Sequence, residues 1–519
     1  MAGSAKLKLC SLPGVLGRSD LETELKFQVP PERRVALRRA VATARVERTR
    51  LQAVYADTPD HRLAAAGLAL RLRKEGRAWV QTLKGRGDGL MQRVEHEVRL
   101  PAQAGVPTLD RSRHNGTPAG ALLDAALGAD GTLAPLYRTD IQRLHRRVRH
   151  AGAVIEIAYD VGRIVAGSQS LPVDEIEFEL ISGPAEALPA LAARWVQRHG
   201  LWWDVRTKSE RGFRLALGLH EVPAVKAAAV TWPEAADCLA AWQAMLSSAL
   251  GHALPNAAEI AAGTGRPEHL HQLRVALRRL RTALALFADW SGQPEPVLAL
   301  EARWAKVFAS LGATRDADVL TGTLGPQLLA AGAPPSLQPA AKPIDDTGRM
   351  VRQPAFNLLL LETLQQAVAG PATAAEEELG GPGPVPLQGA VRQVLKKAWQ
   401  RARADVLKFE RGPDELRHRA RKRLKRLRYA LEFVAAALPR KPMRAQLRAL
   451  GDALDALGRF NDLLVADAHF RQQTEPEPAA WFALGWLSAQ RGPALRDALR
   501  SLERLDKAPK AWRRDKNKQ

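Results

Sequence analysis

Hydrophobic and polar positions alternate through the N-terminal region of the chain and then change period. The runs LETELKF (21–27), GLALRLRKEG (67–76), WVQTLKGRG (79–87), QRVEHEVRL (92–100), AVIEIAYDVGRI (153–164) and EIEFELIS (175–182) switch character almost residue by residue, with turn residues between them. A period of two is that of a strand with unlike faces. Residues 31–43 and 185–199 read as helices set among the strands. Beyond residue 230 the apolar positions recur three and four apart in long Ala/Leu/Arg segments, which is helical patterning. Stretches rich in Pro and Gly around 332–345 and 380–386 read as loops. The pattern predicts an α+β multidomain chain: an antiparallel sheet domain over 20–218, a linker over 219–234, and an all-α domain over 235–505. The helical domain has two related halves, about 235–330 and 385–505, and a basic tail (506–519) completes the chain.

The polar faces of the strands are almost wholly ionic. Glu22, Glu24 and Lys26 share one face, opposite Leu21, Thr23, Leu25 and Phe27. Arg71 and Arg73 alternate with Leu70 and Leu72; Arg93, Glu95 and Glu97 share a face, as do Glu156 and Asp160; Glu175, Glu177 and Glu179 alternate with Ile176, Phe178 and Leu180. Lys84 and Arg143 add single bases. One such strand is the wet face of a sheet. The set is different, because carboxylates cluster at both ends of the region and arginines between them, which solubility does not require. A Glu-x-Glu strand puts two carboxylates on one side, Cα atoms ~6.6 Å apart. Hard cations such as Mg²⁺ are held by carboxylates together with substrate phosphates. Arg and Lys grip phosphate oxygens, the first as a fork and the second as a point charge. Burying so many ions requires pairing, and a closed sheet with a wet lumen would supply it.

Composition narrows the partners. There are 77 Lys+Arg against 55 Asp+Glu, a net charge of +22, in a chain that is 46% hydrophobic, too apolar to be mostly disordered. The excess points to an anion: nucleic acid, a membrane surface or polyphosphate. Both regions carry it, with 34 basic and 24 acidic residues in 1–220 and 43 and 31 in the remainder. Two cysteines, Cys10 and Cys238, are too few for a disulfide framework and suit a reducing compartment. The N-terminal apolar stretch is broken by Pro13 and Gly14, so no secretory signal is expected. No apolar run approaches the ~18–20 residues of a membrane span. The expectation is a soluble, cytoplasmic protein.

Within the helical region a single motif is written twice. His271-Gln-Leu-Arg274-Val-Ala-Leu-Arg278-Arg279-Leu-Arg281 returns as His418-Arg-Ala-Arg421-Lys-Arg-Leu-Lys425-Arg426-Leu-Arg428 at an offset of 147. Downstream, Leu311-Gly312-Ala-Thr-Arg315-Asp316 returns as Leu457-Gly458-Arg-Phe-Asn461-Asp462 at an offset of 146, which argues for internal duplication. On a helix, 271, 274, 278 and 281 fall within roughly 80° of arc, as do 418, 421, 425 and 428. Leu273, Leu277, Leu280, Leu284 and Phe287 take the other side, matched by Ala420, Leu424, Leu427, Leu431 and Val434. Each stripe repeats like charges over roughly 15 Å, which costs stability unless an anion or facing acids offset it. Asp414 and Glu432 are too few and too terminal to do so, so the stripes read as anion-binding faces. His271 and His418 can donate to phosphate and gain charge near an anion.

The ordered series of strand motifs resembles the CYTH superfamily of triphosphate-processing tunnel proteins over about residues 20–217. Glu22-x-Glu24-x-Lys26 is similar to its N-terminal signature, YADTPDHRLAAAGLALRLR (55–73) to the next strand pair, and Thr82-Leu83-Lys84 and Arg93-Val94-Glu95 to the strands after it. Thr207-Lys208 with Arg211-Gly212 resembles the closing Ser-Lys and Arg-Gly element, with Thr for Ser. The repeated helical motif resembles the CHAD domain over roughly 236–505.

The first resemblance implies a closed antiparallel tunnel, a divalent metal (Mg²⁺ or Mn²⁺) and a linear triphosphate substrate. Glu22, Glu24, Glu177 and Glu179 would bind metal. Lys26, Arg71, Arg73, Lys84, Arg93, Arg143 and Lys208 would bind phosphate. Asp160 is either a further ligand or the partner of a lumen arginine. Water activation would fall to a second metal or a carboxylate such as Glu95. The second resemblance implies that His271, Arg274, Arg278, Arg281, His418, Arg421, Lys425 and Arg428 line a site for inorganic polyphosphate, with Asn461 in place of an arginine in the second copy. Together they imply a metal-dependent inorganic triphosphatase with a polyphosphate-binding helical domain, cytoplasmic or on polyphosphate granules. The alternatives are a polyphosphate binder without turnover, and thiamine triphosphatase or adenylate cyclase chemistry on the same tunnel. A nucleic-acid partner is disfavoured, since aromatics are 5% of the chain and no stacking platform accompanies the stripes.

Overall fold

The computed structural model describes residues 21–311, 324–334, 345–370, 386–472 and 480–513, apart from positions 44, 88, 102, 104 and 129. Cys10, the segment with Gly312, Arg315 and Asp316, much of the two Pro/Gly-rich stretches and the end of the basic tail lie outside the described residues.

Eight strands form the N-terminal region: β1 (Leu21–Gln28), β2 (Glu47–Asp57), β3 (Leu68–Glu75), β4 (Ala78–Arg86), β5 (Gln92–Leu100), β6 (Ala134–His150), β7 (Ala153–Ala166) and β8 (Gln169–Ser182). They pair antiparallel in the order β5-β4-β3-β2-β6-β7-β8-β1, and β1 pairs again with β5, closing a barrel. A two-residue strand, β9 (Trp202–Trp203), joins β1. The helices of this region are α1 (Arg34–Val41), α2 (Arg62–Ala65), α3 (Pro118–Leu127), α4 (Ala187–His199) and α5 (Lys208–Ala216). Next come α6 (Cys238–Ala261), α7 (Pro267–Leu286), α8 (Pro294–Ser310), α9 (Gly325–Ala330), α10 (Asp345–Arg352), α11 (Pro354–Val368), α12 (Leu387–Val406), α13 (Asp414–Phe433), α14 (Arg440–Arg471) and α15 (Ala480–Lys507). The fold is thus an antiparallel barrel with a helical region after it. Among the described residues no helix is long and apolar enough to cross a membrane.

The alternation decides which face of the sheet turns inward. Phe27 and Phe178 meet edge-on at 5.8 Å, and Phe178 meets Trp195 of α4 at 5.8 Å. Leu68, Leu70, Leu83 and Val94 pack with Leu123 and Leu127 of α3. Each such side chain gains about 1.5–3 kcal/mol from burial. Helices therefore cover the apolar outer face, and the ionic face lines the lumen.

The described chain forms two compact units that are not consecutive in sequence. The first holds residues up to Val225 with Leu254–His269 and Thr347–Gly370; the second holds Lys226–Ala253, Leu270–Asp346 and the chain from Pro371. In the first unit α11 lies along α4, and buried Asn357 accepts the Trp203 N–H at 2.8 Å. In the second, Leu273, Leu277, Leu280, Leu284 and Phe287 of α7 and its adjoining turn are fully buried, and so are Ala420, Leu424, Leu427, Leu431 and Val434 around α13.

Candidate functional site: an ion-lined barrel lumen

The lumen is lined by ion pairs that skip a strand. Lys84 of β4 reaches past β5 to Glu22 of β1 at 2.9 Å, and also holds Glu95 at 2.6 Å. Arg143 of β6 forks onto Asp160 of β7 at 2.7 Å on both arms and reaches Glu177 of β8 at 2.6 Å. Arg71 lies 3.9 Å from both Glu95 and Glu97 and donates to the Tyr55 hydroxyl at 3.2 Å. Arg73 holds Glu97 at 3.0 Å, and Arg93 pairs with Glu24. Helix α5 adds Lys208, whose ammonium touches Asp160 at 2.7 Å, Glu177 at 2.8 Å and Glu175. Arg211 of the same helix pairs with Glu175. Lys26 donates to the Arg206 carbonyl. The structure thus gathers every residue expected at the triphosphate site into one lumen.

The carboxylates divide into two sets of opposite electrostatic state. Burial alone would raise Glu175, but Arg211, Lys208 and Lys26 overcome it and bring the group to about 2. Glu177 is likewise held well below the usual carboxylate range by Lys208 and Arg143 against burial. Glu22, Glu24 and Glu179 go the other way. Burial pushes Glu179 up to about 8, helped by the carboxylates of Glu22 and Glu156. Glu22 is raised by burial and Glu95 despite Lys84, and Glu24 by burial, Glu22 and Glu177 despite Arg93. Register explains the crowding, since Glu179 stands opposite Glu24 on one side and Glu156 on the other. Burial also lowers the Lys26 ammonium to about 8.

Among the described residues one acidic grouping brings its oxygens close enough together for a single cation. Asp160, Glu175 and Glu177 offer oxygens within 4.8 Å of one another. However, Arg143, Lys208 and Arg211 already occupy them, and a cation there would meet three cationic side chains. Glu22, Glu24 and Glu179 are crowded carboxyls whose raised proton affinity a hard divalent ion would relieve.

Several lumen residues are given no role from the sequence. Glu175 completes the Glu-x-Glu-x-Glu run and was visible as such. Tyr55 is found only through register, standing opposite Arg71 on one side and Tyr137 on the other. Asp204 and Arg206, which support Lys26, have no local signal.

On the helical unit the two basic stripes are placed differently from each other. Arg274 is buried and donates to the Leu311 carbonyl. The guanidiniums of Arg274, Arg278 and Arg281 surround the Phe308 ring at 4.9, 5.9 and 5.4 Å. Acids reach each stripe and the arginines beside it, Glu301 from another helix and Glu432 from the second stripe's own. Glu301 pairs with Arg281 at 2.8 Å and lies 3.8 Å from Arg426, and Glu432 pairs with Arg279 at 2.8 Å and Arg428 at 3.0 Å. A count of acids along one helix could not see Glu301, or the reach of Glu432 across to α7. His271 and His418 are exposed on their helices, and Lys425 and Arg428 are partly so. Burial and the charges of Lys422, Arg421 and Lys425 lower the His418 imidazole, which lies 3.4 Å from the Asn461 amide oxygen.

A closed antiparallel barrel with acids and bases interleaved along its lumen, joined to a helical region with a duplicated basic motif, defines a tunnel protein with a helical companion. Comparison with known families agrees. The CYTH domain model matches residues 20–212 and the CHAD domain model residues 244–471, so the chain carries a CYTH domain and, after it, a CHAD domain. An inorganic triphosphatase of Haemophilus influenzae is 29% identical over 200 residues, 37% of this chain and 54% of that protein, so the chain spans about half the length of this relative. Among solved structures, the CHAD domain from the plant Ricinus communis is 29% identical, covering 56% of this chain and 99% of that one, with a TM-score of 0.42. A putative adenylyl cyclase from Hippeastrum with a dominant triphosphatase activity is 18% identical, covering 37% and 95%, with a TM-score of 0.28.

Proposed function

We propose that the barrel hydrolyses inorganic triphosphate to pyrophosphate and phosphate with a divalent metal, and that the helical region binds inorganic polyphosphate. The observation that carries the reading is the division of the lumen. The crowded carboxylates Glu22, Glu24 and Glu179 stand among the bases Lys84, Arg93, Arg71 and Arg73, and a second group of bases, Arg143, Lys208 and Lys26, lies against Asp160, Glu175 and Glu177. Glu22, Glu24 and Glu179 would hold Mg²⁺ or Mn²⁺, with Glu177 adjoining them. Asp160 acts as the seat of Arg143 and Lys208. When bound, the metal supplies Lewis acidity toward the phosphate oxygens and toward water.

The chain's own residues do the rest. The bases are held in place by carboxylates before substrate arrives, so they are oriented without a reorganisation cost when charge develops on the phosphate oxygens. Arg143 and Arg71 present planar forks, and Lys84 and Lys208 present point charges. Water activation would fall to a second metal or to a carboxylate, for which Glu95, bonded to Lys84, is a lesser candidate. In the helical region, His418, Arg421, Lys425 and Arg428 form the more solvent-facing stripe, and His271, Arg274, Arg278 and Arg281 the more enclosed one. The relative named an inorganic triphosphatase supports the choice of substrate.

The test is phosphate release from tripolyphosphate, ATP, thiamine triphosphate and long-chain polyphosphate, with Mg²⁺ or Mn²⁺ added. Tripolyphosphate should be preferred, and Glu24→Ala should abolish turnover. If the wild type and Glu24→Ala are equally inactive while both bind polyphosphate, the barrel is a binding site and the reading fails.

A further inference from the structure

Glu259 sits near the end of α6, inside the stretch matched by the CHAD model, yet in the compact unit of the barrel. Its side chain is 5% exposed and stands between two arginines of the segment that delivers α5 to the lumen. One carboxylate oxygen accepts from Arg214 at 2.6 Å, and the other lies 3.8 Å from Arg206 and accepts from the Thr264 hydroxyl at 2.5 Å. Arg206 and Arg214 bracket Lys208 and Arg211 in sequence. Arg206 is held from its other side by the buried Asp204 at 2.9 Å on two nitrogens, and its backbone carbonyl receives the Lys26 ammonium. Arg214 lies on α5 itself, six residues beyond Lys208.

We propose that Glu259 is a positioning residue for the tunnel. By holding Arg206 and Arg214 it fixes both ends of the segment that places Lys26 and Lys208 against the substrate. The inference rests on the triphosphate reading of the lumen. Its physical basis is that Lys26 and Lys208 are not anchored by their own strand and helix alone. Lys26 depends on a carbonyl whose residue is clamped by Asp204 and Glu259. Lys208 depends on the seating of α5, which Glu259 grips through Arg214. Loss of the carboxylate leaves Arg206 with Asp204 and Arg214 with Glu210. The segment therefore keeps its fold and loses its fixed position. An interaction felt equally by bound substrate and transition state changes KM rather than kcat.

The experiment compares the full chain with Glu259→Ala, Glu259→Gln and Glu259→Asp. It measures kcat and KM for tripolyphosphate with Mg²⁺, the dissociation constant of tripolyphosphate by titration calorimetry, and thermal unfolding. Glu259→Ala and Glu259→Gln should raise KM and Kd about tenfold with kcat within about threefold, and Glu259→Asp should recover most of the loss. Wild-type KM and Kd in a folded variant would overturn the inference, as would a fall in kcat alone that tracks the unfolded fraction. If Glu259→Ala does not fold, Glu259→Gln decides, since it keeps the side-chain size and removes the charge. If the wild type binds tripolyphosphate without hydrolysing it, the proposed activity fails while Kd still decides the role of Glu259. Absence of binding altogether overturns both.

Discussion

Gly212 lies on α5, one residue past Arg211, where the helix meets the barrel wall. A Cβ at this position would stand 2.3 Å from Cε2 and 2.4 Å from Cδ2 of Tyr137. Carbon atoms rest at ~3.5–4.0 Å, so Gly212→Ala requires a displacement of about 1.2 Å or more. The ring cannot give way. It stacks on Tyr55 with centroids 4.6 Å apart and planes 17° from parallel, and its hydroxyl donates to the Ser209 carbonyl at 3.0 Å. The helix must therefore move, and Lys208 moves with it. Its contacts with Asp160 and Glu177, 2.7 and 2.8 Å, would open to about 4 Å, beyond hydrogen-bond range. Overpacking of this kind costs about 1–3 kcal/mol, and each kcal/mol lowers the melting temperature of a unit this size by about 2–4 °C. A misplacement of about 1 Å in a positioned group costs about 100-fold in rate. Calorimetry and steady-state kinetics on tripolyphosphate would then show a variant still folded at 25 °C with kcat/KM about 30–100-fold lower. Wild-type kcat/KM together with wild-type melting would refute the argument that α5 must seat against Tyr137 to place Lys208.

Glu179 is held up to about 8, against 4.5 for an ordinary glutamate, so between those values the metal-free folded chain keeps a proton that the unfolded chain has released. Stability without metal should fall as pH rises from about 4.5 to 8, and melting curves of Glu179→Gln should lose most of that dependence. The same group must be ionised to bind metal, so Mg²⁺ affinity measured by calorimetry should rise with pH toward 8 in the wild type and be about tenfold weaker in Glu179→Gln. On the helical unit, Arg279 is 3% exposed and paired with Glu432, so Arg279→Met should destabilise by about 3 kcal/mol in denaturant unfolding. Lys425→Ala with Arg428→Ala should instead leave stability within about 1 kcal/mol. That pair should weaken polyphosphate binding and flatten its salt dependence.

Much of the barrel was legible because strand periodicity is a local property. The runs at 21–27, 67–76, 79–87, 92–100, 153–164 and 175–182 all fall in strands, and their ionic faces are the lumen. The apolar stripes of α7 and α13 were legible for the same reason. What the pattern could not supply is the pairing of residues far apart in sequence. Nothing near Gly212 announces Tyr137, nothing near Trp203 announces Asn357, and nothing near Arg206 announces Glu259. The assignment of 254–269 and 347–370 to the barrel's unit belongs to the same class, since a helix carries no mark of which surface its apolar side will cover. Glu301 was missed because it acts from outside the motif, and Glu432 was weighed only against its own helix although it also reaches Arg279.

The net charge of +22 takes its meaning from these pairings. Within the lumen, Asp160, Glu175 and Glu177 hold Arg143, Lys208 and Arg211, so those bases are oriented while their charge is largely offset. At Glu22, Glu24 and Glu179 the balance reverses and carboxylates predominate. A triphosphate alone would be repelled by the second set and would have to displace the acids of the first. A triphosphate carrying a divalent cation meets both conditions at once, because its metal satisfies the crowded carboxylates while its oxygens take over the bases. Under the proposed function, the two sets together would favour the metal–triphosphate complex over either component alone. On the helical unit the arrangement differs in kind, for Glu301 pairs with Arg281 and Glu432 with Arg428 while the second stripe keeps part of its surface in solvent. Under the proposed function, a site of that sort would recognise repeated charge along a chain rather than one compact group, which is the distinction between polyphosphate and triphosphate.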